Sequence, residues 1–136
     1  SALQRVIYDG KTVAADISTI STTPTGYDIH FTQPIGANVT PDQLKAALVV
    51  KSWFYTNLVQ YGSPRHDQRD EVITNVTLSA DRKSLLVDFD GFGNGDKWTG
   101  RLYHLQFKDA APLFDNLPVW KMLEGFHTLN AIPKAK

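Results

Sequence analysis

The sequence predicts an all-β chain, an immunoglobulin-like antiparallel β-sandwich with one short helix. Three observations carry that expectation. Apolar and polar residues alternate with a period of two through several runs, as half-buried strands require. Turn-forming residues interrupt those runs at short intervals, as in sandwiches. A helix-capping pattern occurs at one place only. A small closed barrel is the competing architecture. At 136 residues, with 42% hydrophobic and 21% charged content, the chain is expected to build one core and one domain over residues 1–136.

Taken in order, "QRVIY" and "ADISTIS" read as short strands. In "YDIHFT", Tyr27, Ile29 and Phe31 share one face, and Asp28, His30 and Thr32 share the other. The preceding "TPTGY" places Pro24 and Gly26 where a tight reversal needs a fixed and a permissive backbone. Thr40, Pro41 and Gln43 combine an N-cap hydroxyl, a first-turn proline and a capping-box partner, so a helix is expected to run to about Ala47. "ALVVKSWFY" is the next strand, with Ser52 and Phe54 on one face and Trp53 and Tyr55 on the other. In "EVITNVTLS", Val72, Thr74, Val76 and Leu78 oppose Ile73, Asn75 and Thr77. "SADRKS" is a hairpin loop leading to "SLLVDFD", whose Leu85, Val87 and Phe89 point one way. "DGFGNGDKWTG" carries four glycines and reads as a longer connection. In "LYHLQF", Tyr103, Leu105 and Phe107 share a face, and the stretch from Pro112 to Met122 suggests one short helical turn.

Composition narrows the function. Lys plus Arg and Asp plus Glu number 14 each, so the basic excess of an electrostatic nucleic-acid binder is missing. No apolar run approaches the roughly 20 residues that span a bilayer. Cysteine is absent, which removes disulfides, thiolate zinc sites, covalent c-type haem attachment and cysteine nucleophiles. The opening Ser1-Ala2-Leu3-Gln4 lacks a secretion signal, as expected of a cytoplasmic protein or of a segment from a processed chain.

The order of motifs "LQRVIYDGKT", "GYDIHFTQPI", "VVKSWFY", "YGSP", "VTLSADRKSLLVDF", "RLYHLQF" and "FHTLNAIP" over residues 3 to 133 resembles the β-sandwich accessory domain of large exported bacterial proteins. Those proteins combine it with sugar- or sorbosone-dehydrogenase-like propellers, ThuA-like domains and c-type cytochrome modules. The resemblance implies a periplasmic or extracellular setting and a neighbouring catalytic or cytochrome module as partner. It implies no catalytic residue and no cofactor of the domain's own. The pattern is broken at Asn57-Leu58-Val59, where relatives often carry His, and at Arg65, where an acid is usual.

The densest cluster of candidate chemistry is "WFYTNLVQYGSPRHDQRDE", residues 53 to 71. Trp53, Tyr55, Tyr61 and Trp98 could stack on the apolar faces of sugar rings, with His66 and Asp67 bonding hydroxyls. The bland alternative is that Trp53 and Tyr55 fill or cover the core. Ser63, His66 and Asp67 have the residue types of a hydrolytic triad, but no nucleophile elbow accompanies them. Asp88, Asp90, Asn94 and Asp96 offer hard oxygen ligands for calcium, yet EF-hand spacing fails at Phe92 and Thr99. His30, His66, His104 and His127 show no metal-ligand spacing, and His30 and His104 are expected on outer strand faces. Asn38 and Asn75 begin glycosylation sequons, a short and common pattern. The expected function is therefore a non-catalytic accessory domain of an exported carbohydrate-processing or redox protein, positioning a neighbouring module or binding an oligo- or polysaccharide. The alternative is a small hydrolase or metal-binding protein using the loop around His66 and Asp67.

Overall fold

The alternating runs pair into two four-stranded antiparallel sheets, ordered β1-β2-β6-β5 and β4-β3-β7-β8. The structure, a computed structural model, describes residues 4–5, 7–11, 13–56, 62–93, 100–115, 117–119 and 122–134. Among these, the strands are β1 (Ile17–Thr22), β2 (Gly26–Phe31), β3 (Leu48–Phe54), β4 (His66–Asp70), β5 (Ile73–Leu78), β6 (Ser84–Phe89), β7 (Leu102–Phe107) and β8 (Leu123–Thr128). One α-helix, α1 (Pro41–Ala47), and a 3-10 turn at Ala111–Leu113 complete the set.

The inner faces are the predicted ones. Tyr27, Ile29 and Phe31 of β2 and Leu85, Val87 and Phe89 of β6 meet Leu48, Val50, Tyr103, Leu105 and Phe107 of the other sheet in one buried core. Tyr27 and Tyr103 touch edge-on across the layers at 5.2 Å, and Phe31 meets Phe107 and Phe114 at 5.7 Å. Each such side chain contributes about 1.5–3 kcal/mol by leaving water, so these rings hold the two layers together.

Local chemistry sets the helix. Thr40 Oγ1 accepts from Gln43 N at 3.3 Å, and Gln43 Oε1 accepts from Thr40 N at 2.8 Å. The helix buries Leu44 and ends where its C-cap residue, Leu48, opens β3. The loop before it is tied to the β5–β6 hairpin by Arg82, whose Nε donates to Ile35 O at 2.9 Å and Nη2 to Val39 O at 2.6 Å. Arg82 itself has φ +60, a left-handed turn conformation.

The structure corrects three local expectations. "QRVIY" forms no strand among its described residues; Ile7 and Tyr8 are 73% and 67% exposed, because the run precedes a turn at Asp9–Gly10 and meets no sheet edge. In β5 a register shift between Ile73 and Asn75 interrupts the alternation. Ile73 consequently packs against the core and Val72 is left exposed. Finally, the polar stretch at His66 is no mere loop but strand β4, and "LEGFHT" forms the unforeseen β8.

Candidate functional site

Two features concentrate functional side chains, both on the second sheet. The first is an ionic closure between β3, β4 and the start of β7. Ser52 points inward and is fully buried, and Arg101 is 1% exposed. Arg101 Nε donates to Ser52 Oγ at 3.0 Å, Nη1 to Asp67 Oδ2 at 2.7 Å, and Nη2 to the Asp67 carbonyl at 2.6 Å. Ser52 Oγ donates onward to Glu71 Oε1, which also accepts from Arg69 Nε at 3.1 Å. Asp67 has φ +47 and lies where the β3–β4 register shifts. The guanidinium fork thus grips a bulge in the edge strand through both its carboxylate and its backbone.

These contacts do not assemble a hydrolytic relay. Ser63 Oγ accepts from Thr56 N at 3.2 Å and His66 Nε2 lies 3.1 Å from Thr56 Oγ1. The His66 ring stacks on Phe54 at 5.6 Å, while the Asp67 carboxylate is engaged by Arg101. Among the described residues, no group of three or more His, Asp or Glu side chains is placed to hold a metal ion. Asp88 instead accepts from Thr25 Oγ1 at 2.5 Å and Asn75 Nδ2 at 3.3 Å. Asn94 and Asp96, the other half of the calcium expectation, lie outside the described residues.

The second feature is the outer face of the sheet β4-β3-β7-β8. Residues paired directly across strands share a face. The pairs His104↔Phe126 and Gln106↔Glu124 therefore stand beside Val49, Lys51 and Trp53, whose neighbours are set by Lys51↔His104 and Val49↔Gln106. His104 stacks flat on Phe126 at 4.4 Å and meets Glu124 Oε2 at 2.7 Å. Gln106 Nε2 donates to Met122 Sδ at 3.4 Å. Tyr55, Met122 and Phe126 remain 48%, 58% and 57% exposed.

Trp53 corrects the expectation of an open aromatic platform. It lies on the outer side, as the alternation predicts, yet is 2% exposed. Arg65 sits over its ring with Cζ at 4.2 Å from the centroid, and Tyr55 and His104 approach edge-on at 6.5 and 6.4 Å. A guanidinium over an indole face is held by the ring quadrupole, so the face a sugar would use is occupied. Trp53 Nε1 finds no hydrogen-bond partner among the described residues. Of the six predicted glycan residues, Tyr55 is open and Trp53 covered on one face, whereas His66 sits opposite Phe54 on the other. Asp67 is held by Arg101, and Tyr61 and Trp98 lie outside the described residues.

No family model, curated protein or solved structure matches this chain. The opposite sheet makes the contrast plain. Its outer face carries Thr19, Ser21, Asp28, His30, Ser84, Asn75, Thr77 and Asp88, with Leu86 as an exposed apolar exception. There His30 Nε2 meets Asp28 Oδ2 at 3.0 Å and Ser84 Oγ donates to Asp28 Oδ1 at 2.9 Å. Within the core, burial pushes the Tyr27 and Tyr103 phenols far above their ordinary range, the Glu71 carboxylate adding to the effect on Tyr103. Burial also holds the His127 imidazole below its ordinary value; its Nε2 lies 3.0 Å from Thr22 Oγ1. These groups are structural, since each faces the interior.

Sequence reasoning missed Arg65, Arg101, Glu124 and Phe126 as site-forming residues. Arg65 stood out only as a departure from the motif pattern, and Arg101 only as the first residue of "RLYHLQF". Glu124 and Phe126 gain meaning only from the β7–β8 register that sets them beside His104.

Proposed function

We propose that the chain is a non-catalytic accessory module of an exported carbohydrate-processing or redox protein. It works by contact, using the outer face of β4-β3-β7-β8 to position a neighbouring catalytic or cytochrome module or to hold a glycan. The observation that carries this reading is the asymmetry between the sheets. One outer face is a hydroxyl- and carboxylate-bearing surface, and the other exposes Tyr55, Met122 and Phe126 around a His104–Glu124 pair. Aromatic and methionine side chains with a few polar groups are the composition of contact surfaces. Tyr55 and Phe126, rather than the covered Trp53, are the rings a sugar would meet. The sheet orders β1-β2-β6-β5 and β4-β3-β7-β8 support the immunoglobulin-like connection pattern that the motif resemblance implies. The periplasmic or extracellular setting rests on that resemblance.

The test has two arms: calorimetric titration with a panel of soluble oligosaccharides, and hydrogen exchange of β7 and β8 in the parent polypeptide. A glycan role predicts binding that falls about tenfold on Phe126→Ala or Tyr55→Ala, the worth of one stacked ring. A positioning role predicts slowed exchange on this face when the neighbouring module is present. Absence of both effects overturns the reading.

A further inference from the structure

Four strands end the two sheets: β1 and β5 in one, β4 and β8 in the other. An exposed regular edge is a template for another chain, and folded proteins normally blunt it with bulges, charges or a covering element. Three of these edges are blunted. The pairing of β1 shifts register between Ile17 and Thr19. That of β5 shifts between Ile73 and Asn75, and Lys45 of α1 reaches over to donate to Thr74 O at 2.7 Å. β4 is wholly polar, shifts register opposite Ser52 and Phe54, and carries the left-handed Asp67. Among the described residues, the only such device along β8 is one acidic residue, Glu124, which His104 engages; a backbone bridge from Ala15 stops at Val119, short of β8. β8 pairs with β7 through six consecutive positions without a shift, and it contains no Lys, Arg or Pro.

The direction of its free backbone groups follows from the ladder. Leu129 N donates to Arg101 O at 2.9 Å. Alternate residues before it, His127, Gly125 and Leu123, therefore turn their N–H and C=O groups toward β7. Glu124, Phe126 and Thr128 turn theirs off the edge, and no backbone bond from another described residue reaches them. Phe126 and Thr128 are exposed.

We propose that β8 is a self-pairing edge: two copies of this chain join β8 to β8 antiparallel about a two-fold axis through Phe126, extending β4-β3-β7-β8 into a continuous sheet across the dimer. Charge and shape argue for a second copy as the occupant. This register engages all three outward-directed residues and sets Phe126 against Phe126 on the outer face. It places Glu124 opposite Thr128 of the second copy, so no like charges meet. On the inner face it sets Gly125 against His127, small against large. The alternative with Glu124 on the axis would face two carboxylates. Residues whose backbone groups face one another across the axis exchange two backbone bonds per pair, and an edge contact of this length is small for an interface, so the dimer is a weak and dynamic one.

Sedimentation equilibrium of the chain, carried to near-millimolar concentration, tests this. The wild type is expected to dimerise, and Thr128→Glu, which brings carboxylates opposite Glu124 on both sides of the axis, is expected to weaken the dimer about tenfold. Adding Glu124→Lys to Thr128→Glu converts both repulsions into attractions and is expected to restore it. Thr128 is an exposed strand end and Glu124 bonds His104 on the outer face, away from the core, so both variants are expected to keep the fold, which an unchanged far-ultraviolet dichroism spectrum checks. A chain that stays monomeric, a dimer indifferent to Thr128→Glu, or a double variant that fails to recover each overturns the proposal. The first outcome would leave the edge to a strand of another module, the second would place the contact elsewhere.

Discussion

Replacing Arg101 with methionine removes the guanidinium and keeps most of its aliphatic stem. The three donated bonds, to Ser52 Oγ and to the carboxylate and carbonyl of Asp67, all disappear. Bonds from a charged donor are worth about 1.5–3 kcal/mol each, while breaking a buried charge pair costs about 3–5 kcal/mol in all. Two features of this site pull the figure down. The Asp67 side chain is 54% exposed, so water recovers its carboxylate and the ion pair itself adds little. Ser52 Oγ keeps Glu71 as its acceptor. The loss is therefore expected at the lower bound, about 3 kcal/mol. In urea, with a slope of about 2 kcal/mol per molar, the unfolding midpoint falls by about 1.5 M. Arg101→Lys keeps the charge without the fork and recovers only part of the loss. Hydrogen exchange adds a local readout: the amides of β4 exchange faster in Arg101→Met, because the bulge at Asp67 loses its anchor. A midpoint change equivalent to less than about 1 kcal/mol, or full recovery by lysine, refutes the assignment of the fork as the clamp on β4.

Two further outcomes follow from packing and titration. A Cβ on Gly26 would run into the backbone carbonyl of Val87, whereas one on Gly125 would meet Ile20 Cδ1, a movable side-chain tip, at 2.5 Å; Gly26→Ala is expected to destabilise by about 3 kcal/mol and Gly125→Ala by about 1 kcal/mol in the same urea assay, and the reverse order would contradict the packing argument. His127 is held below its ordinary value by burial, so the unfolded chain binds a proton that the folded chain resists. Its contribution to stability is whole above about pH 6.5 and is lost as pH falls toward the folded-state value. His127→Gln, which keeps a polar partner for Thr22, should flatten the slope of stability against pH between about pH 7.5 and pH 5. Parallel slopes in the two proteins would refute the burial effect.

Much of the architecture was legible because it is decided locally. Period-two alternation identified the inner faces of β2, β6 and β7 residue by residue, and the Thr40–Gln43 box gave the helix its start. β4 escaped because "HDQRD" has no apolar face: an edge strand can be held by backbone pairing and leave no period to detect. β8 escaped for a different reason. Gly125 takes the position of an inward side chain, since Ile20 and Ile17 fill the space above it, and the alternation of "LEGFHT" is broken there.

The amino-acid order alone determined the all-β character, the helix, the turns and which side of each regular strand faces inward. Those properties depend on neighbours within a few positions, where backbone geometry ties sequence spacing to direction. Tertiary structure decided everything that makes a site. It covered Trp53 with Arg65, tied Arg101 to residues 34 and 49 positions away, and set Phe126 beside His104. It also left β8, among the described residues, as an edge strand paired without a register shift. Such contacts join side chains far apart in the chain, and only the register of paired strands determines which of them meet.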